Sequence, residues 1–87
     1  MKIEFDLVKN AKNIAERGLN FEQVAEFNFE TAQFTIDNRR DYGEIRYRAL
    51  GFIKQRLYAL VFVQIVDGIR VISFRKANKR EVKSYET

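Results

Sequence analysis

"RLYALVFVQIVDGIRVISF", residues 56–74, decides the fold. Arg56 to Val66 is the most apolar run in the chain, rich in β-branched and aromatic residues, and it reads as the central strand of a sheet. Asp67-Gly68 is a tight hairpin signal, because both residue types tolerate the positive φ that such turns need. Ile69 to Phe74 is therefore predicted to return antiparallel beside the first strand.

The chain then changes character. Arg75, Lys76, Lys79, Arg80 and Lys83 follow within nine residues, with Glu81 among them and Tyr85 and Glu86 just after. Asn78 with Glu81 has the spacing of a capping box, so a last helix is predicted, with Val82 and Tyr85 as its apolar contacts. Cations at a helix start, next to free backbone N–H groups, suit a phosphate. A solvated basic face is the plainer alternative.

Toward the N-terminus, Glu44 to Phe52 alternates. Glu44, Arg46 and Arg48 fall on one face, Ile45, Tyr47 and Ala49 on the other. The stretch 37–43 (DNRRDYG) is polar and turn-rich, and reads as the main loop. Ala32 to Ile36 is a further strand. Before it, Asn20 with Gln23 forms a second capping-box variant, with Leu19 and Val24 as staple, so a short helix of about two turns carries Phe21, Val24, Ala25 and Phe27. At the start, Lys2 to Phe5 alternates as a short strand, and Asp6 caps a helix. Leu7, Val8, Ala11, Ile14 and Ala15 form one apolar face of that helix. Gly18 fits its left-handed end, and Arg17 faces the negative end of its dipole. The predicted class is α+β: an antiparallel meander with two N-terminal helices and one C-terminal helix, and one face of the sheet partly open.

At 87 residues the chain predicts a single domain, 1–87. It has no cysteine and no histidine. Thiolate zinc sites, haem and serine–histidine triads are thereby set aside, and no metal or cofactor is expected. No run approaches the roughly 20 apolar residues that span a bilayer, and no apolar signal core opens the chain, so a cytoplasmic protein without membrane contact is expected. Sixteen basic residues against twelve acidic ones give a net charge of +4. With a pI near 9.6, a nucleic acid is a plausible partner.

Three segments, RRDYGEIRYRALG (39–51), RLYALVFV (56–63) and RVISFRKANKREVKSYE (70–86), closely resemble the BrnT family of toxins. Phe5-Asp6, Lys9, Asn13 and RGLNFEQVAEFNFETA (17–32) extend the likeness to the front of the chain, in the family's order and spacing. The combination of Gly43-Glu44-x-Arg46, Ile72-Ser73-x-Arg75-x-Ala77 and Glu81-x-x-x-Tyr85 is more specific than any one piece. Two departures stand out. Many family members have Lys-His-Gly where this chain has Glu16-Arg17-Gly18, and many have a histidine near Tyr58. The resemblance implies a RelE-like fold and a ribonuclease toxin of a type II toxin–antitoxin pair, which inhibits translation and growth. It also implies a BrnA-like antitoxin with a DNA-binding domain, forming a heteromeric complex that binds its operator DNA.

Metal-free cleavage of RNA uses the substrate's own 2′-hydroxyl as nucleophile. The enzyme must hold the phosphate in line and stabilise its growing negative charge. Arginine does both, since its donor fork matches two phosphate oxygens, but it stays protonated and is a poor base. Arg46, on the charged face of its strand, and Arg75, at the end of the last strand, are the leading catalytic candidates. Both also match positions that the family pattern retains. Tyr58 is a third, as a donor or a stacking platform. Glu44 or Glu81 is the base candidate, although either suits a structural pair with an arginine. Lys76, Lys79, Arg80 and Lys9 are the phosphate-binding candidates. Arg70 is predicted on the face opposite Arg75 if the strand is regular. A non-catalytic module that binds nucleic acid or antitoxin is the alternative.

Overall fold

The computed structural model describes all 87 residues. The elements are β1 (Lys2–Glu4), α1 (Leu7–Arg17), a 3₁₀ helix (Phe21–Glu26), β2 (Gln33–Ile36), β3 (Tyr47–Ile53), β4 (Arg56–Ile65), β5 (Gly68–Lys76) and α2 (Lys79–Glu86). They form an α+β fold around one five-stranded sheet of order β1-β5-β4-β3-β2. The apolar strand β4 is central, and β2 through β5 form the expected antiparallel meander.

The sheet is nonetheless mixed, not purely antiparallel. β1 lies parallel beside β5, with Lys2 opposite Gly68 and Glu4 opposite Arg70. The segment of α1 and the 3₁₀ helix carries the chain from this edge to the other, where β2 begins. Gly68 permits the approach, because a Cβ there would strike the backbone of Lys2.

One sheet face carries the core. Ala49, Ile53, Leu60, Phe62, Ile69, Val71 and Phe74 pack there against Leu19, Phe21, Val24 and Phe27. The second helix is the expected two turns, but it is 3₁₀ rather than α. Asn20 and Gln23 complete the capping box, and the Phe27 N–H already donates to the Val24 carbonyl, so six residues are closed at both ends.

α1 departs from expectation in its orientation. Asp6 caps it and Gly18, at φ 69°, ends it as read. Its buried residue, however, is Asn10, and Leu7, Val8 and Ile14 point to solvent. Polar groups dock it instead. Asn10 Oδ1 accepts from the Phe21 N–H at 2.8 Å, and Asn13 Nδ2 donates to the carbonyls of Leu19 and Phe74, both at 3.0 Å.

α2 lies on the second sheet face, so the helices do not all share one side. Its Tyr85 ring meets Phe52 edge-on at 5.4 Å, and the Tyr85 hydroxyl donates to the Thr31 carbonyl at 2.7 Å. The alternation predicted from Glu44 also starts later, at Tyr47. Residues 37–46 remain a loop whose ends are tied by the Asp37 N–H donating to the Arg46 carbonyl at 2.8 Å.

Candidate functional site

The second sheet face has small side chains at its centre. Ala59 and Val61 of β4 and Ser73 of β5 form a floor that α2 covers at one end only. Loop 37–46 and α2 supply the walls. The resulting groove has a volume of about 400 Å³, the size of a small-ligand site. Five arginines line it, namely Arg39, Arg46, Arg48, Arg75 and Arg80, against two acids, Asp37 and Glu81. A concave surface with that balance concentrates a field that attracts polyanions.

Strand alternation puts Arg48 and Arg75 on this face, since Arg48 pairs with Val61 and Arg75 with Ala59. Glu81 locks Arg75. Nη1 donates to Oε1 at 2.7 Å and Nη2 to Oε2 at 3.0 Å, while Nη1 also reaches the Lys76 carbonyl at 3.3 Å. This end-on pairing consumes three of the five guanidinium donors and leaves Nε–H with one Nη2–H, the side-on fork that fits two phosphate oxygens. The mutual hydrogen bonds hold the Glu81 carboxyl below its ordinary pKa and push the Arg75 guanidinium higher still. Glu81 is fixed in turn by the capping box, where it accepts from the Asn78 N–H at 2.9 Å. Arg48 lies 3.9 Å from its second oxygen.

Arg46 is held less firmly. Its guanidinium stacks on Tyr42 at 4.0 Å from the ring centroid. Nη2 reaches Glu44 Oε2 at a long 3.4 Å. Nε is equally distant from that oxygen but misaligned, and it is buried without a hydrogen-bond partner. Asp37 organises the loop. It accepts from Arg39 Nε and Nη2, both at 2.8 Å, and from the Tyr42 hydroxyl at 3.3 Å. The Arg39 fork keeps the buried Asp37 carboxyl well below the usual carboxylate range.

The structure thus brings Arg46, Arg75, Arg80 and Glu81 to one groove, with Glu44 beside Arg46. Tyr58 is not among them. It lies on the core face, stacked on Phe74 at 5.2 Å, and borders a shallow cleft with Gln23, Glu26 and Arg56. Lys76 pairs with Tyr58 across the strands and shares that other face. Lys79 is exposed at the start of α2, and Lys9 is exposed on α1, outside the groove.

Arg70 corrects the prediction of a regular strand. Val61 pairs with Ser73 but Phe62 pairs with Val71, so Ile72 is the extra residue of a β-bulge. The bulge turns Arg70 onto the same face as Arg75, where it lies 3.8 Å from Glu44 and 3.4 Å from Glu4. Arg39 and Asp37 escaped the sequence reading as site residues because a loop has no periodicity to assign a side chain to a face. Arg48 was legible from its alternation with Arg46.

A family model described as "Ribonuclease toxin, BrnT, of type II toxin-antitoxin system" matches residues 5–81. No curated protein and no solved structure matches the chain.

Proposed function

The chain belongs to the BrnT family of ribonuclease toxins of type II toxin–antitoxin systems, and we propose that it is a metal-independent endoribonuclease whose site is the arginine groove. The observation that carries this reading is Arg75, pinned end-on by Glu81 with its side fork unspent. Arg46 lines the same groove, so an RNA phosphate seated on that fork has a second guanidinium in the site. Five lining arginines make a divalent cation an unfavourable guest, which supports charge stabilisation by guanidinium rather than metal.

In this mechanism the 2′-oxygen attacks the adjacent phosphorus and the bond to the 5′-oxygen breaks; the departing 5′-oxygen takes a proton from a solvent water, giving a 2′,3′-cyclic phosphate and a 5′-hydroxyl end. Arg75 and Arg46 stabilise the charge gathering on the phosphoryl oxygens. The proton leaving the 2′-hydroxyl goes to Glu44, whose contacts to Arg46 and Arg70 are long, 3.4 and 3.8 Å, and easily exchanged. Glu81 is the weaker base, because both its oxygens are engaged and its pKa is depressed. Arg80, Arg48 and Arg39 track neighbouring phosphates, with Lys79 as an outlying cation. Tyr58, Lys76 and Lys9 take no part in the chemical step.

The fold is read as a RelE-like variant acting in the cytoplasm. Growth stops until a BrnA-like antitoxin, carrying a DNA-binding domain, neutralises the toxin and joins it in a heteromeric complex that binds operator DNA. The deciding experiment incubates the isolated chain with RNA in EDTA, beside a 2′-deoxy substrate and the variants Arg46→Ala and Arg75→Ala. Cleavage of RNA alone, lost in both folded variants, supports the mechanism. RNA bound but never cut, with harmless expression, replaces it by the non-catalytic binding module.

A further inference from the structure

α1 is amphipathic in the wrong sense for a helix that merely covers a core. Leu7 is 77% exposed, Val8 79% and Ile14 43%, and Ala11 and Ala15 are exposed between them. Their spacing of i, i+1, i+4, i+7 and i+8 makes one continuous apolar stripe about two turns long. The inward face is polar, with Asn10 and Asn13 spending their side-chain hydrogen bonds on Asn20, Phe21, Leu19 and Phe74. Exposed apolar stripes of this kind on a small protein mark an interaction site.

We infer that this stripe is the docking surface for an acidic amphipathic helix of the antitoxin. That occupant presupposes the antitoxin partner proposed above. Charge selects it over a second copy of the chain. Lys12 borders the stripe, Lys9 lies farther round, Arg17 ends the helix in the row of Asn10 and Asn13, and Glu16 is the one acid of α1, already 4.0 Å from Lys12. A second copy would set this basic helix against its like, on a chain that already carries +4. An acidic partner helix would lay its apolar side on Leu7, Val8 and Ile14 and its carboxylates beside Lys12, on a chain of net positive charge. No α1 residue lines the arginine groove. Docking here therefore need not fill that groove, and the toxin's grip on its antitoxin can be separated from its grip on RNA.

The test uses the full chain and, as the antitoxin probe, the purified small DNA-binding protein expected from the adjoining gene. Leu7→Glu/Val8→Glu places acids in the first turn, where the helix dipole favours them, so the fold is expected to survive. The double variant should melt like the wild type, cut RNA at the wild-type rate and lose about a hundredfold in antitoxin affinity by calorimetry. Its toxicity should no longer be rescued by antitoxin co-expression. Ile14→Gln should weaken binding in the same direction, and Lys12→Glu should slow association most at low salt. A double variant that binds antitoxin as tightly as wild type overturns the assignment. So does a wild-type chain that self-associates through the stripe, with the double variant monomeric, since the occupant is then a second copy. A wild-type chain that binds no antitoxin overturns both the partner and this surface, a result distinct from the first.

Discussion

Glu81→Gln isolates the pair on which the groove depends. Glutamine keeps the carbonyl oxygen that accepts from the Asn78 N–H, so the capping box and the start of α2 persist. What goes is the charge facing Arg75 and one of its two short hydrogen bonds, at 2.7 and 3.0 Å. The Glu81 side chain is 12% exposed and that of Arg75 31%, so the pair is neither fully screened nor deeply buried. Charge-assisted bonds contribute about 1.5–3 kcal/mol. Discounting for solvent on the arginine side leaves about 1–2 kcal/mol for the substitution. In a domain of this size that is roughly 5–15 °C in Tm. Glu81 has a folded-state pKa below the ordinary 4.5, so its contribution is present above that pH and fades as pH falls through the lower folded value. Urea denaturation of both proteins at pH 7 and near pH 3 should therefore show a gap that narrows in acid. Cleavage should fall about tenfold to a hundredfold at pH 7, because Arg75 loses its fixed orientation. A stability gap that is unchanged in acid, or a variant that cuts RNA at the wild-type rate, would refute the reasoning.

Three further outcomes are expected. Tyr42→Leu removes the ring under Arg46 and a donor to Asp37. It should reduce RNA cleavage several-fold while costing about 1 kcal/mol in stability, read by single-turnover kinetics and urea denaturation. Gly68→Ala sets a Cβ against the Lys2 backbone, which cannot step aside, so β1 should detach. A loss of about 1–3 kcal/mol, with amide exchange of Lys2 to Glu4 rising to that of free peptide, would register it. RNA affinity should fall steeply with salt, with a log–log slope near −2 to −3 if three or four of the groove arginines meet phosphates on a single strand, and Arg80→Ala should flatten that slope by about 0.7.

Patterns set by neighbours along the chain were legible without tertiary structure. Both capping boxes, the Asp6 cap and the Gly18 terminus depend on contacts a few residues apart, and each formed as read. The hairpin of β4 and β5 also formed, but its turn is Val66-Asp67 rather than Asp67-Gly68: Gly68 already pairs with Ile65 in β5, and neither Asp67 nor Gly68 has a positive φ. The basic character of the last strand and helix was equally plain, and Arg46, Arg75 and Arg80, singled out from the sequence, all line the groove. The family match over residues 5–81 agrees with the motifs that carried the resemblance.

Tertiary structure decided which side chains meet. Tyr58 and Arg75 are both strand residues rich in functional promise, yet pairing register puts Tyr58 on Phe74 and Arg75 over the floor of the groove. One extra residue at Ile72 reverses the face of Arg70, because side-chain direction alternates with period two and any insertion flips everything beyond it. The stripe of α1 was visible as periodicity, but periodicity cannot say whether an apolar face points inward. Hydrogen bonds from Asn10 and Asn13 to backbone groups far along the chain settle that, and they turn the apolar face out. Local sequence thus determined the elements and their chemistry, while long-range pairing, which no short window contains, determined the site.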